Sequence, residues 1–318
     1  AAEHYLAKGE PRQAIHYFLQ GSELDRATEL LEEQVESIAH EGLWETLEGW
    51  LQQIPAERLA TRPKLLLYLS WVHQLRGRND EAIQVLNRAM AACADQGQQG
   101  LEAQALMRRS VSLRYKGAHQ LAVRDARRAL ALARTHGTAL DQADAHSHLG
   151  TAYAQQGKFL PAEKEFRAAL AGYQQLGNLF HLSDIHKRLG TVYSNLGEPA
   201  KAITHFELAR QGWQKLGNQQ ELAVTLNNMA YLYFRQGQYD LAEPLAREAI
   251  ALDEALGFVR NGAYAWDTLG HILGNQGDYA GALEACQKSL DLARQCMETH
   301  QVSLGLINLS EVYRLSGT

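Results

Sequence analysis

Glycine recurs at positions 77, 117, 157, 197, 237, 277 and 317, every interval being 40 residues. Self-similarity at a fixed period of roughly 20–50 residues is the mark of one supersecondary unit stacked many times, so this ladder predicts a repeat array. Five residues after each of the first six glycines stands an alanine: Ala82, Ala122, Ala162, Ala202, Ala242 and Ala282. A second ladder, Gly97, Gly137, Gly177, Gly217 and Gly257, runs twenty residues out of phase with the first, so each unit is cut twice.

Between the cuts the apolar period is helical. In one unit Ala145, Leu149 and Tyr153 recur at i, i+4 and i+8, and Ala162, Phe166, Ala169, Leu170 and Tyr173 share a stripe in the following segment. Two antiparallel helices per unit follow, with Gly157 and Gly177 placed where a helix ends in a left-handed residue. Pro161 and Pro199 fall in the opening turn of a second helix, where a missing N–H costs little. Pro244 lies deeper in its helix, where a small local distortion is expected.

Small residues share one register of the first helix: Ser70, Ser110, Gly150, Gly190, Ala230, Gly270 and Ser310. With the alanine ladder they let the two backbones of a pair approach closely. Leu149, Leu189, Met229, Leu269 and Leu309 form one column of large residues, and Tyr153, Tyr193, Tyr233 and Tyr313 another. Leucine in place of Ala202 or Gly190 is expected to overpack this seam, at about 1–3 kcal/mol. Because each pair touches only its neighbours, stability is expected to be a sum of repeat and interface contributions.

These residues resemble the tetratricopeptide repeat (TPR). Its order of a large residue, Leu-Gly, Tyr, then Ala, Phe and Ala stands here as Trp266 with Leu269-Gly270 and Leu273 in the tyrosine place. It stands again as Leu189-Gly190, Tyr193, Ala202, Phe206 and Ala209. The unit is forty residues instead of the family's thirty-four, which implies longer helices and an altered curvature. The stretch Leu226-Asn227-Asn228-Met229-Ala230-Tyr231-Leu232-Tyr233 is similar to the long repeats of kinesin light chains and of bacterial signalling ATPases. The resemblance implies an all-α fold, a right-handed alpha-alpha superhelix or TPR-like solenoid of antiparallel helix pairs. On this register the array spans 64–318, with units at about 59–98, 99–138, 139–178, 179–218, 219–258 and 259–298 and the first helix of a seventh at 299–318. On that last helix Leu306, Leu309 and Tyr313 lack a following partner helix, which leaves room for self-association through an end.

Residues 1–63 do not follow the forty-residue register, though Gly9 and Ala14 keep the five-residue spacing. They read as a leading helical segment that caps the array. Tyr5, Gly9, Ala14-Ile15-His16, Ala27, Leu30-Leu31-Glu32, Thr46-Leu47, Trp50-Leu51, Ile54-Pro55 and Arg62-Pro63 follow in an order that resembles the lead-in to the repeats of MalT-like transcriptional activators with a LuxR-type DNA-binding end, of the STAND signalling ATPase class. Taken singly, Trp44, Leu47, Trp50 and Leu51 would be core in any capping helix pair. The resemblance implies a cytoplasmic regulator in which an ATPase module lies upstream, a helix-turn-helix module downstream, and the superhelix between them receives the inducer. The alternative from the same repeats is a kinesin-light-chain-like peptide-binding or assembly scaffold.

Composition narrows the partners. Over 318 residues the charge sums to −5, and no basic stripe is present, so direct contact with a nucleic-acid backbone is not expected. With 46% hydrophobic residues and 6 prolines the chain has ample core and no disordered composition. No apolar run approaches the roughly 18 residues of a membrane span. Ala1-Ala2-Glu3-His4-Tyr5 lacks the basic start and apolar core of an export signal, and the missing Met fits a fragment of a longer chain. Cys93, Cys286 and Cys296 have no metal-ligand spacing and read as small core residues in a reducing compartment.

No phosphate-binding Gly-x-x-x-x-Gly-Lys-Ser/Thr, His-Glu-x-x-His or Gly-x-Ser-x-Gly occurs, so no catalysis and no cofactor are expected within these residues. His146 and His148, two apart, point to different helix faces, which is poor metal-ligand geometry. His146 and His186 share the column of Leu106, Leu226, Trp266 and Leu306, so each is expected to be a packed histidine with one hydrogen bond. The TPR register places Trp71, Arg114, Asp184, Lys187, Asn227, Asn228, Tyr231, Arg235, Tyr264, Asp267, His271, Asn308 and Arg314 on the concave face of the first helices. In related peptide-binding repeats an asparagine at the register of Asn228 and Asn308 holds a ligand backbone, and aromatic faces suit sugars or apolar side chains. The groove is therefore expected to take a small effector or a peptide segment, although charged and amide side chains on such a face are commonly just solvated.

Overall fold

The computed structural model describes residues 1–296 and 299–316, so Gly317 of the first ladder lies outside the described residues. The chain divides into two compact units, Ala1–Gly172 and Tyr173–Thr318. Every described element is an α-helix.

The first unit opens with five helices of unequal length: α1 (Ala2–Ala7), α2 (Pro11–Gln20), α3 (Leu24–His40), α4 (Trp44–Gln53) and α5 (Ala56–Leu59). Regular pairs follow as α6 (Pro63–Leu75), α7 (Asn79–Gln96), α8 (Gln99–Tyr115), α9 (His119–His136) and α10 (Ala139–Gln155), and the unit ends within α11 (Phe159–Leu176). Ile15, Phe18, Leu31, Ile38, Leu47, Leu51, Leu65 and Leu86 fill its core. The second unit continues with α12 (Leu179–Leu196), α13 (Pro199–Leu216), α14 (Gln219–Arg235), α15 (Tyr239–Leu256), α16 (Val259–Gln276), α17 (Tyr279–Gln295) and α18 (Thr299–Ser316). Trp213, Leu226, Ala230, Ala246, Ile250, Leu269 and Ile272 belong to its core.

The punctuation follows the glycines. Gly77, Gly97, Gly117, Gly157, Gly177, Gly197, Gly217, Gly237, Gly257 and Gly277 have φ between +63° and +88°, the region a Cβ disfavours. Gly137 is the exception: it leaves α9 in an extended conformation (φ −97°, ψ 166°). The chain restarts there with a capping box. Thr138 Oγ1 accepts from the Asp141 N–H (3.1 Å) and Asp141 Oδ2 from the Thr138 N–H (2.9 Å). Pro199 opens α13, and α15 runs unbroken through Pro244.

The seam within a pair is tight for the reason the small residues suggest. All six alanines of the ladder are 0% exposed. A Cβ on Gly150 would stand 2.6 Å from the Phe166 ring, one on Gly190 2.6 Å from Phe206, and one on Gly270 2.7 Å from Cys286 Sγ. Ser310, in the same register, is exposed on α18, as are Leu306 (48%) and Tyr313 (46%). Cys93 and Cys286 are buried, and burial pushes both thiols up to about 11, whereas Cys296 caps α17 half-buried. Among the described residues no helix is long and apolar enough to cross a membrane.

Candidate functional site

In the second unit α14 carries Asn227, Asn228, Tyr231 and Arg235 on one side, because residues three and four apart on a helix share a face. They line a cavity of ≈300 Å³ together with Tyr264, Asp267 and Thr268 of α16, Phe206 of α13, and Thr191, Ser194 and Asn195 of α12. Two half-exposed rings, Tyr231 (46%) and Tyr264 (40%), stand at it. Its floor is polar: the Asn227 side-chain oxygen is buried with no hydrogen-bond partner. A buried acceptor left unmade costs about 1–3 kcal/mol. Arg235 and Asp267 bring one charge of each sign.

Six of the thirteen residues singled out by register thus meet in one cavity. His271 and Asn308 line a second, of ≈320 Å³, with Phe234, Gly270, Gly274, Asn275, Cys286 and Val312. One lining residue of each cavity is bonded to the other, Asn308 Nδ2 donating to Asp267 Oδ1 at 2.8 Å. The Asn308 amide is therefore held by a neighbouring carboxylate. The His271 ring lies 5.6 Å from that of Phe234 and its Nε2 3.8 Å from Asp267 Oδ2.

Asp184 and Lys187 fall in an ion cluster on α12. Asp184 accepts from Arg188 Nε (2.6 Å) and pairs with Lys187 Nζ (3.1 Å), which also reaches Glu221. Burial works against ionising Asp184, but the charges and hydrogen bonds of Arg188 and Lys187 outweigh it and hold the carboxyl down at about 2. Trp71 and Arg114 belong to the first unit, and Arg314 is exposed on α18. Trp71 packs against Trp44, ring centroids 4.6 Å apart.

Thr191, Ser194, Asn195, Phe206 and Thr268 are cavity residues the register reading did not include. Subtracting one period from Tyr231 and Arg235 reaches Thr191 and Asn195, so the ladder itself contained that signal. Both packed-histidine expectations hold: His146 Nδ1 lies 2.6 Å from Glu165 Oε2, and His186 Nδ1 lies 2.8 Å from His205 Nδ1. Among the described residues no group of three or more His, Cys, Asp or Glu is arranged to hold a metal ion.

The tetratricopeptide repeat family matches residues 182–255 and again 263–296. The chain carries tetratricopeptide repeats. It is also similar to the HTH-type transcriptional regulator MalT of Serratia proteamaculans, 38% identical over 96 residues, which is 30% of this chain and 11% of that protein. MalT of Vibrio parahaemolyticus is 32% identical over 89 residues, 28% of this chain and 10% of that protein. The matched stretch thus spans about a tenth of the length of these curated relatives.

Solved TPR-type structures share the architecture at low identity. The STAND protein with a tetratricopeptide repeat sensor from Pyrococcus horikoshii superposes with a TM-score of 0.58 at 15% identity, over 96% of this chain and 54% of that one. A Rap protein complexed with competence and sporulation factor gives 0.61 at 12% identity, over 100% and 99%. The nearly identical kinesin-light-chain TPR-like repeats of Podosopora anserina give 0.51 at 16% identity, over 62% and 97%. The chain is a TPR-like solenoid, a helical scaffold resembling MalT and the STAND sensor regions.

Proposed function

We propose that the chain is a non-catalytic ligand- or partner-binding sensor region of a MalT-like transcriptional regulator. In this reading residues 1–63 lead into and cap the array, and the cavity on α12, α14 and α16 receives the effector. Its occupancy then controls an ATPase module elsewhere in the same polypeptide. The observation that carries the reading is a cavity flanked by Tyr231 and Tyr264 and edged by Asn227, Asn228, Arg235 and Asp267. Rings give a flat apolar surface, and the mixed polar groups fix orientation, the combination that small-molecule sites use. The MalT relatives and the STAND neighbour with its repeat sensor support the assignment to signalling. Control requires the ligand to bind two states of the regulator with different affinity.

Calorimetry with a panel of small effectors, on this chain and on the full regulator, tests it. Asn227→Ala is expected to weaken an active compound by about 5- to 10-fold, from the loss of one buried hydrogen bond, and to shift the activation curve of the full regulator equally. An activator whose affinity and potency are unmoved by Asn227→Ala and by Tyr231→Ala would sink the reading.

A peptide-binding or assembly scaffold is the second reading, favoured by a second cavity holding His271 and Asn308, whose Asn308 is bonded to Asp267 of the first. An extended segment would need both, so Asn228→Ala and Asn308→Ala would each release a captured protein partner, whereas a small effector would feel mainly the first.

A further inference from the structure

We propose that the first unit holds a second ligand site, separate from the cavity above, in which Arg108 receives the carboxylate or phosphate of a small anion whose body rests on Trp71 and Tyr68. The forty-residue register makes the argument by comparison. Arg108 and Arg188 occupy the same position two units apart, and the residue four places earlier is Gln104 in one and Asp184 in the other. Arg188 is neutralised within its own helix, donating to Asp184 at 2.6 Å. Gln104 carries no charge, and its side-chain amide is turned to Asp141 Oδ1 at 3.0 Å. Arg108 thus keeps the arginine of the pair without its carboxylate.

No other acid takes that place. Among the described residues Arg108 has no ion pair; its guanidinium lies 4.3 Å above the Trp71 ring and 5.8 Å from that of Tyr68. Gln74 Nε2 anchors the arginine's backbone, donating to the Arg108 carbonyl at 2.8 Å and to Ser112 Oγ at 2.8 Å. Trp44 packs against Trp71 with its ring tilted 54°. Burial pushes the pKa of Arg108 down to about 10, yet the group remains charged at neutral pH.

A half-buried cation stacked on rings is stabilised by their faces but retains its full complement of in-plane N–H donors. Those donors form the planar fork that matches a carboxylate or phosphate two bonds at a time. Trp71, Tyr68 and Arg108 each keep part of their surface in solvent. The chemistry selected is an anion on a flat or apolar body, since a bare inorganic ion would leave the rings unused.

The test is a tryptophan-fluorescence titration of the chain at low ionic strength with phenyl phosphate, benzyl alcohol and inorganic phosphate, in the wild type, Arg108→Met and Gln104→Asp. Phenyl phosphate is expected to saturate the signal at least tenfold more tightly than either half-probe. Arg108→Met should weaken it at least tenfold. Gln104→Asp rebuilds the Asp184–Arg188 arrangement, so it should weaken phenyl phosphate at least fivefold in a chain that keeps its helical circular dichroism. It serves as the decisive variant if Arg108→Met does not fold. Absence of a saturable response, or a response that the folded variants leave unchanged, overturns the proposal. Either outcome leaves the cavity on α14 untouched, because none of these substitutions lies in the second unit.

Discussion

Two neighbouring repeats of the second unit, α12–α13 and α14–α15, fill equivalent spaces in opposite ways. At the seam the first sets Gly190 against Phe206, and the second carries Ala230 and Ala246 at the same two positions. At the end of the second helix the first buries Trp213 (0% exposed), and the second buries Asp253 (3%), whose Oδ1 has no partner. On the inner face the first presents Asp184, Lys187 and Arg188, bound to one another, and the second presents Val224, Asn227 and Asn228. The earlier repeat pairs its inner-face charges among themselves and with Glu221, whereas the later one leaves acceptors unmade at Asn227 and Asp253, and the two contribute equally to the lining of the candidate cavity. A repeat array can therefore hold its backbone constant while one unit pairs its inner-face charges and the next carries neutral amides at the same positions.

The sharpest way to break this comparison is at the seam. Gly190→Leu drives a branched side chain into the Phe206 ring, where even a Cβ lies at 2.6 Å. A loss of about 3 kcal/mol or more is expected, read as a lower denaturant midpoint. Phe206→Ala in the same chain should return part of that loss, since the ring is what the new side chain meets. Ala230→Gly at the equivalent position should cost only about 1 kcal/mol, from helix propensity and a lost methyl.

Asp253 comes next. Its column elsewhere is Cys93, Ala133, Tyr173, Trp213 and Ala293, all buried, so a carboxylate there is out of character. Burial raises its pKa to about 6 from an ordinary 3.8. The native state then binds more protons than the unfolded chain between those values, and stability from this residue falls as pH rises through about 6. Asp253→Ala is expected to gain about 2–3 kcal/mol at pH 8, a gain that shrinks toward zero near pH 4, measured as thermal midpoints across that range.

The inner face gives a smaller effect. Asp184→Asn removes the acid that Arg188 and Lys187 share, at about 1–2 kcal/mol for partly buried groups, and high salt should narrow the difference from wild type. Val224→Ala, at the matching position of α14, should show no such salt dependence.

The smallest effect concerns what the two repeats share. Gly217 (φ +65°) and Gly257 (φ +69°) end α13 and α15 in the left-handed region with open space around a notional Cβ, so Gly217→Ala and Gly257→Ala should each cost about 1 kcal/mol. Equal losses would show that the punctuation is common to both repeats. Unequal ones would break the premise that their backbones are interchangeable.

The ladders were legible because a left-handed helix end and a backbone-to-backbone approach are local demands that few residue types meet. Glycine positions and the buried alanines follow from that alone, and the two packed histidines from the apolar column they share. Gly137 shows where local reading stops: its place in the ladder is right, but the Thr138–Asp141 capping box turns the chain another way. Ser310 shares a register with Ser70 and Ser110 but is exposed, because burial depends on a neighbouring helix and not on the residue.

For the site, register groups side chains by helix position but does not say what each one meets. Asp184 and Lys187 share the expected register and are taken up by Arg188 and Glu221. Asn308 shares it too and is bound to Asp267, forty-one positions away in sequence. The period, helix boundaries and seam were written in the sequence itself, since they rest on backbone conformation and side-chain volume repeated at fixed spacing. Which polar groups remain unpaired, at Asn227 and Arg108, was decided only by tertiary structure, because a hydrogen bond or ion pair depends on distances between atoms that sequence spacing does not set.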